Sequence, residues 1–115
     1  MKFEIKKFGI YLANLDPQMG TETGKTRPVI AVQTDLLNSV HPSTIICPIT
    51  TKVKTKSQIL RVHLEKGEGG LREQSDIVVD QIRAIDNKRF MKYLGEISDK
   101  NKRILLNNLH ALLMQ

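Results

Sequence analysis

The chain has no tryptophan, only three phenylalanines and two tyrosines, one cysteine and three histidines. With so few aromatics, a broad platform for stacking single-stranded bases is not expected. The lone Cys47 excludes an internal disulfide framework and a cysteine-based zinc site. Inside TIICPIT it reads as a small buried hydrophobe. His41, His63 and His110 fall on different predicted elements and form no ligand-spaced cluster with carboxylates, so neither a metal nor another cofactor is expected. No Walker loop, no GxGxxG and no serine in a nucleophile-elbow setting occurs, which leaves covalent chemistry without a nucleophile. No apolar run approaches the roughly 20 residues that span a bilayer, so no membrane partner is expected. The opening MKFEIKKFGIY lacks the apolar core of a signal peptide, and the expected location is the cytoplasm.

What is present fits one domain over residues 1–115, with a modest core. Eighteen Lys and Arg against twelve Asp and Glu give a net charge of +6, which favours a polyanionic partner, either nucleic acid or an acidic protein. The chain is organised around LDPQMGTETGKTRPVIAV, residues 15–32, where a strand ends, a loop rich in Gly, Thr and charge follows, and a strand resumes at Pro28. Strands are predicted over 8–15, 28–34, 44–50, 59–64, 76–85 and 93–97, from β-branched and alternating patterns. Pro48 predicts a bulge or an edge in the third strand. The three glycines of EKGEGGLRE predict a turn region. Ser98 reads as the N-cap of a final helix reaching about Met114, with Leu105, Leu109, Leu112 and Leu113 on one stripe. Together these elements predict a mainly β protein with a C-terminal helix, a small antiparallel barrel. The second and third strands are apolar on both faces. One face would fill the barrel, and the other must meet the helix or a second subunit, which a homodimer satisfies.

The chemistry has few candidates. Arg27 precedes Pro28, which biases it toward an extended backbone and aims a fixed guanidinium at any phosphate near the strand mouth. The plain alternative is a solvated hairpin loop carrying Glu22, Lys25 and Arg27. Thr50 and Thr51 end the third strand, where they either anchor a phosphate or cap their own loop. Lys52, Lys54 and Lys56 alternate, so an extended segment would present them on one face as a phosphate track; otherwise the loop is merely solvated. In VVDQIRAID, Asp80 and Arg83 form a buried pair, or Gln81 reads base edges. Metal-free RNA cleavage needs little more than these groups. The substrate brings its own 2′-OH, and the protein orients it, stabilises the phosphorane charge and moves two protons.

GIYLANLDP, then G-x-E-x-G-K-x-RPV, then CPIT, then VVDQIRAID followed by Arg89, resemble in order and spacing the MazF/PemK (Kid) toxins, over about residues 9–95. The resemblance implies a Src-homology-3-like barrel, a homodimer, and endoribonuclease activity on single-stranded RNA (mRNA) at short sequences. It implies metal-independent cleavage leaving a 2′,3′-cyclic phosphate and a 5′-OH, and neutralisation by a cognate acidic antitoxin. The family's catalytic arginine falls on Arg27, its catalytic threonine on Thr50 and its loop glutamate on Glu22. Its glutamine falls on Gln81, beside Arg83. Lys25, Thr51, Lys52, Lys54 and Lys56 complete the expected RNA contacts. A first-loop histidine used by some members is absent. Two other readings stand beside this one. A gyrase poison on the same barrel would act through an aromatic C-terminal tail, whereas this chain ends HALLMQ. A non-catalytic nucleic-acid or acidic-protein adaptor would need only the basic loops.

Overall fold

The computed structural model describes residues 3–16, 20–21, 25–57 and 59–115. Its strands are β1 (Gly9–Asn14), β2 (Thr26–Ala31), β3 (Ser43–Thr50), β4 (Arg61–Leu64), β5 (Ser75–Val78), β6 (Arg83–Asp86) and β7 (Phe90–Glu96), followed by the helix α1 (Asp99–Met114). Every strand pairing is antiparallel, in the order β4-β5-β3-β2-β1-β7, with β6 also on β3. This is the predicted mainly β fold with a terminal helix.

The predicted strand over 76–85 is two strands. Residues Val79–Gln81 form a 3₁₀ turn between β5 and β6, and both strands pair with the same edge of β3. Between the pairs Ile46↔Arg83 and Ile49↔Ile77, β3 has two residues, Cys47 and Pro48, while the opposing chain has five. The extra length cannot lie flat, so it coils. Asp80 sits on that turn and is exposed, so no buried Asp80–Arg83 pair holds the fold.

The central strands bury both faces, as their composition requires. One core gathers Ile10, Ile30, Cys47, Ile49, Val62, Ile77 and Val79 beneath Leu105 of α1. The other gathers Tyr11, Ala13, Val29, Ala31 and Ile46 with Ile5, Ile85 and Phe90. The second face is thus covered by the chain's own amino-terminal segment, β6 and β7, and these strands make no demand for a second subunit. Tyr11 is the hub of this core. Its ring stacks on Phe3, meets Phe90 edge-on, and its hydroxyl accepts from the Lys6 N–H at 2.8 Å and donates to the Glu4 carbonyl at 3.0 Å.

The β4–β5 connection closes the curl against β7. Gly70, at φ +76°, lies so close to β7 that a Cβ there would stand 2.2 Å from the Leu94 carbonyl oxygen. A Cβ on Gly95 would meet the Gly69 backbone at 2.6 Å. Only glycine permits this approach, which explains the run of glycines in EKGEGGLRE. The adjacent Glu68 accepts from the Ser98 N–H and the Asn101 side chain, a carboxylate at the positive end of α1. Ser98 caps that helix as predicted, accepting from the Asn101 N–H at 3.2 Å. The inward stripe is Ile104, Leu105, Leu109 and Leu112, whereas Leu113 is 60% exposed.

Candidate active site

Strand β2 begins earlier than predicted, so Arg27 is its second residue and is half-buried. Arg27 pairs across β1 with Ala13. On the other side β2 and β3 pair as Val29↔Pro48 and Ala31↔Ile46, and pairing starts just past Pro28, which has no N–H to give. The same register extended sets Arg27 opposite Thr50. Thr50 pairs with Asp76, and Asp76 with His63. Arg27, Thr50, Asp76 and His63 therefore form one row across four strands. Directly opposed residues of an antiparallel sheet project to the same face, so a cation, a hydroxyl and an imidazole share one face of the sheet with a buried carboxylate.

Thr50 is fixed by accepting the Lys52 N–H at 3.1 Å. Its hydroxyl thus caps its own loop, and the O–H remains a donor for a phosphate oxygen. Thr51 is exposed and lines a cavity of about 400 Å³ floored by Leu12, Pro28, Leu71 and Leu94. The segment after it is not extended. The Val53 N–H donates to the Thr51 carbonyl at 3.0 Å and the Ser57 N–H to the Lys54 carbonyl at 3.0 Å, two successive turns. Lys52, Lys54 and Lys56 are all exposed, but the turns remove the strand geometry that would align them on one face.

The first loop is tied at its base. The Leu15 N–H donates to the Lys25 carbonyl at 2.7 Å, and the Lys25 N–H to the Asp16 carboxylate. Arg89 donates to the carbonyls of Asn14 and Asp16. Gln81 reaches the same loop, its Nε2 donating to the Thr21 carbonyl at 3.1 Å. Lys25 is exposed with φ +62°, and Arg83 is half-buried opposite Ile46. Glu22 lies outside the described residues. Among the described residues, no three His, Cys, Asp or Glu side chains converge as metal ligands. Burial pushes the Cys47 thiol up to about 12, which makes it inert as a nucleophile.

The buried charge of the sheet is Asp76, which sequence reasoning missed. It is 0% exposed, and its Oδ2 accepts from Arg61 Nη1 at 3.0 Å and from the Lys54 N–H at 2.9 Å. Its Oδ1 lies 2.6 Å from His63 Nδ1. Burial acts to raise the Asp76 pKa, but the bonds from Lys54, His63 and Arg61 outweigh it and hold the carboxyl below the ordinary aspartate value. The bond to Asp76 raises the His63 pKa. Arg61 and His63 alternate with the buried Val62 and Leu64 in β4, which puts both on one face. The missing signal was the aspartate that opens the next apolar run, which a hairpin brings alongside.

The fold is that of solved MazF toxins. A MazF structure from Deinococcus radiodurans superposes with a TM-score of 0.83 at 23% identity, covering 99% of this chain and 100% of that one. A MazE–MazF structure from the same organism gives 0.78 at 23% identity, over 99% of this chain and 100% of that one. Residues 6–113 match the family described as PemK-like, MazF-like toxin of type II toxin-antitoxin system. A curated relative, endoribonuclease MazF of Staphylococcus saprophyticus, is 33% identical over 103 residues, 90% of this chain and 86% of that protein. The chain belongs to the PemK-like, MazF-like toxins of type II toxin–antitoxin systems.

Proposed function

We propose that this toxin is an endoribonuclease that cuts single-stranded RNA at short sequences by attack of the substrate's own 2′-OH. What supports the reading is the register of β2 on β3, which, extended past Val29↔Pro48, sets Arg27 opposite Thr50 at one end of two adjacent strands. The 33% identical relative is an endoribonuclease. Arg27 stabilises the phosphorane, and Thr50 anchors the scissile phosphate through its O–H. Glu22 is the carboxylate proposed to accept a proton. Lys25, Thr51, Lys52, Lys54, Lys56, Gln81 and Arg83 bind the flanking RNA. No metal is needed, because the nucleophile belongs to the substrate, and the products end in a 2′,3′-cyclic phosphate and a 5′-OH. The toxin acts in the cytoplasm, where mRNA is.

Its partners are a second copy of itself and an acidic antitoxin. Exposed Leu36, Val40, Met91 and Tyr93 supply apolar surface for a dimer. An acidic flexible segment complements the net charge of +6 and would order itself over the loops at 16–27 and 51–57, covering Arg27. Complexes with an antitoxin are known for a mycobacterial endoribonuclease of this fold, with a TM-score of 0.73 at 16% identity over 94% of this chain and 91% of that one. Antitoxin and RNA then compete for one surface.

The test is incubation of the purified protein with a long transcript in EDTA, with the 5′ ends mapped. Discrete cuts are expected. Intact RNA, or trapping of gyrase in their place, would overturn the reading. In a titration of antitoxin peptide against RNA bound to Thr50→Ala, simultaneous undiminished binding would refute the shared surface.

A further inference from the structure

Asp76 grips the middle of the loop that follows Thr50, and its two side-chain partners, Arg61 and His63, grip the two ends. The Lys54 N–H donates directly to its Oδ2 at 2.9 Å. Arg61 Nη1, bonded to the same carboxylate, also donates to the Lys52 carbonyl at 3.2 Å. His63, bonded to Asp76 through Nδ1, places Nε2 2.9 Å from the Ser57 carbonyl. One buried carboxylate thus fixes the backbone at 52, 54 and 57, directly or through one side chain. These positions bracket the segment that carries Lys52, Lys54 and Lys56.

We propose that Asp76, with Arg61 and His63, is a positioning device that presets the 51–57 loop for binding RNA beside Thr50. The inference rests on the endoribonuclease reading above. A preset loop does not have to be ordered by its ligand, so less affinity is lost to immobilisation. The role of His63 follows from its surroundings. Both ring nitrogens face oxygen atoms, the Asp76 carboxylate from β5 and the Ser57 carbonyl from the loop. Only the imidazolium donates from both nitrogens. The other charge acting on the ring is Arg61 of its own strand, which opposes protonation. The helix that packs on β4 meets it through Asn108, whose Oδ1 accepts from the Leu60 N–H. With both nitrogens engaged, the imidazole holds the loop and does not reach a substrate.

The experiment compares wild type, Asp76→Asn and His63→Gln, with folding checked by circular dichroism. Hydrogen exchange at the Lys54 amide reads the loop, and binding is read with a 2′-O-methylated oligoribonucleotide spanning a cut mapped on the long transcript. In Asp76→Asn, Lys54 exchange should quicken and RNA Kd should rise, each by about tenfold or more, the scale of one hydrogen bond to a charged group. KM should follow Kd while kcat holds within about threefold, because the loop contributes uniform binding. Wild-type affinity should also fall as pH rises through the His63 pKa, and that step should vanish in His63→Gln. Unchanged Lys54 exchange in Asp76→Asn, or faster exchange with unchanged Kd, overturns the proposal while leaving the activity standing. A wild type that neither binds nor cuts RNA overturns both. Should Asp76→Asn fail to fold, His63→Gln decides: retention of the wild-type pH step in Kd refutes the device.

Discussion

Two loops flank the candidate site, and they are held by opposite means. The loop between β1 and β2 is fastened by Arg89 at its base and by Gln81 at Thr21, both donating to backbone carbonyls in bonds that are open to solvent. The loop after β3 is fastened by a carboxylate with no solvent exposure at all. Water competes for the first set of bonds and screens them; it does not reach the Asp76 carboxylate on which the second set converges. The comparison teaches that similar-looking polar loops can differ in what a single substitution costs, and that the difference lies in one buried atom group and not in loop composition.

The largest effect should come from attacking the buried side. Asp76→Ala leaves the Arg61 and His63 charges uncompensated and should destabilise the fold by about 3–5 kcal/mol, whereas Arg89→Ala should cost only about 1–2 kcal/mol. Urea denaturation of both variants measures the contrast, and equal losses would break it. Next in size is Arg27→Ala, which should lower the cleavage rate by at least about 10², the scale of one preorganised charge stabiliser. A time course on the mapped RNA reads it.

How far these sites were legible in the sequence differs for the same reason. Strands β1 to β3 and the Ser98 cap rest on local patterns, and local patterns were enough to bring Arg27 and Thr50 to neighbouring strand ends. The break at Val79–Gln81 was signalled only by Asp80 and Gln81 interrupting an apolar run, because its cause lies across the sheet, in the unequal lengths facing Pro48. The Asp76 grip left no local mark, since Arg61 and His63 stand in one strand and Asp76 in the next. The even spacing of Lys52, Lys54 and Lys56 misled, because two backbone turns override side-chain periodicity.

The lysines sharpen the comparison at a smaller scale. If they contact about three phosphates, log K should fall with log salt with a slope of about −2 from them alone, and replacing all three with Ala should flatten the measured slope by that amount. An unchanged slope would mean that the loop is held for some other purpose. The smallest effect is in pH. The folded His63 pKa is raised, so its contribution is fully present below its unfolded pKa of about 6.5 and is lost as pH rises through the folded value. Asp76 is shifted the other way, and its contribution is lost only as pH falls below about 4. The Tm gap between wild type and His63→Gln should therefore be widest below the unfolded pKa of about 6.5 and narrow as pH rises through the raised folded value. A gap that widens with pH would contradict the charged pairing.

The central claim is that Arg27 and Thr50 together cut RNA with the substrate's own hydroxyl as nucleophile. The most direct measurement is the chemistry of the ends made from one transcript by wild type and by folded Arg27→Ala, both in EDTA. The account predicts 2′,3′-cyclic phosphate and 5′-OH ends from wild type and almost no product from the variant. Cleavage by Arg27→Ala at near wild-type rate, or 5′-phosphate ends from the wild type, would contradict it.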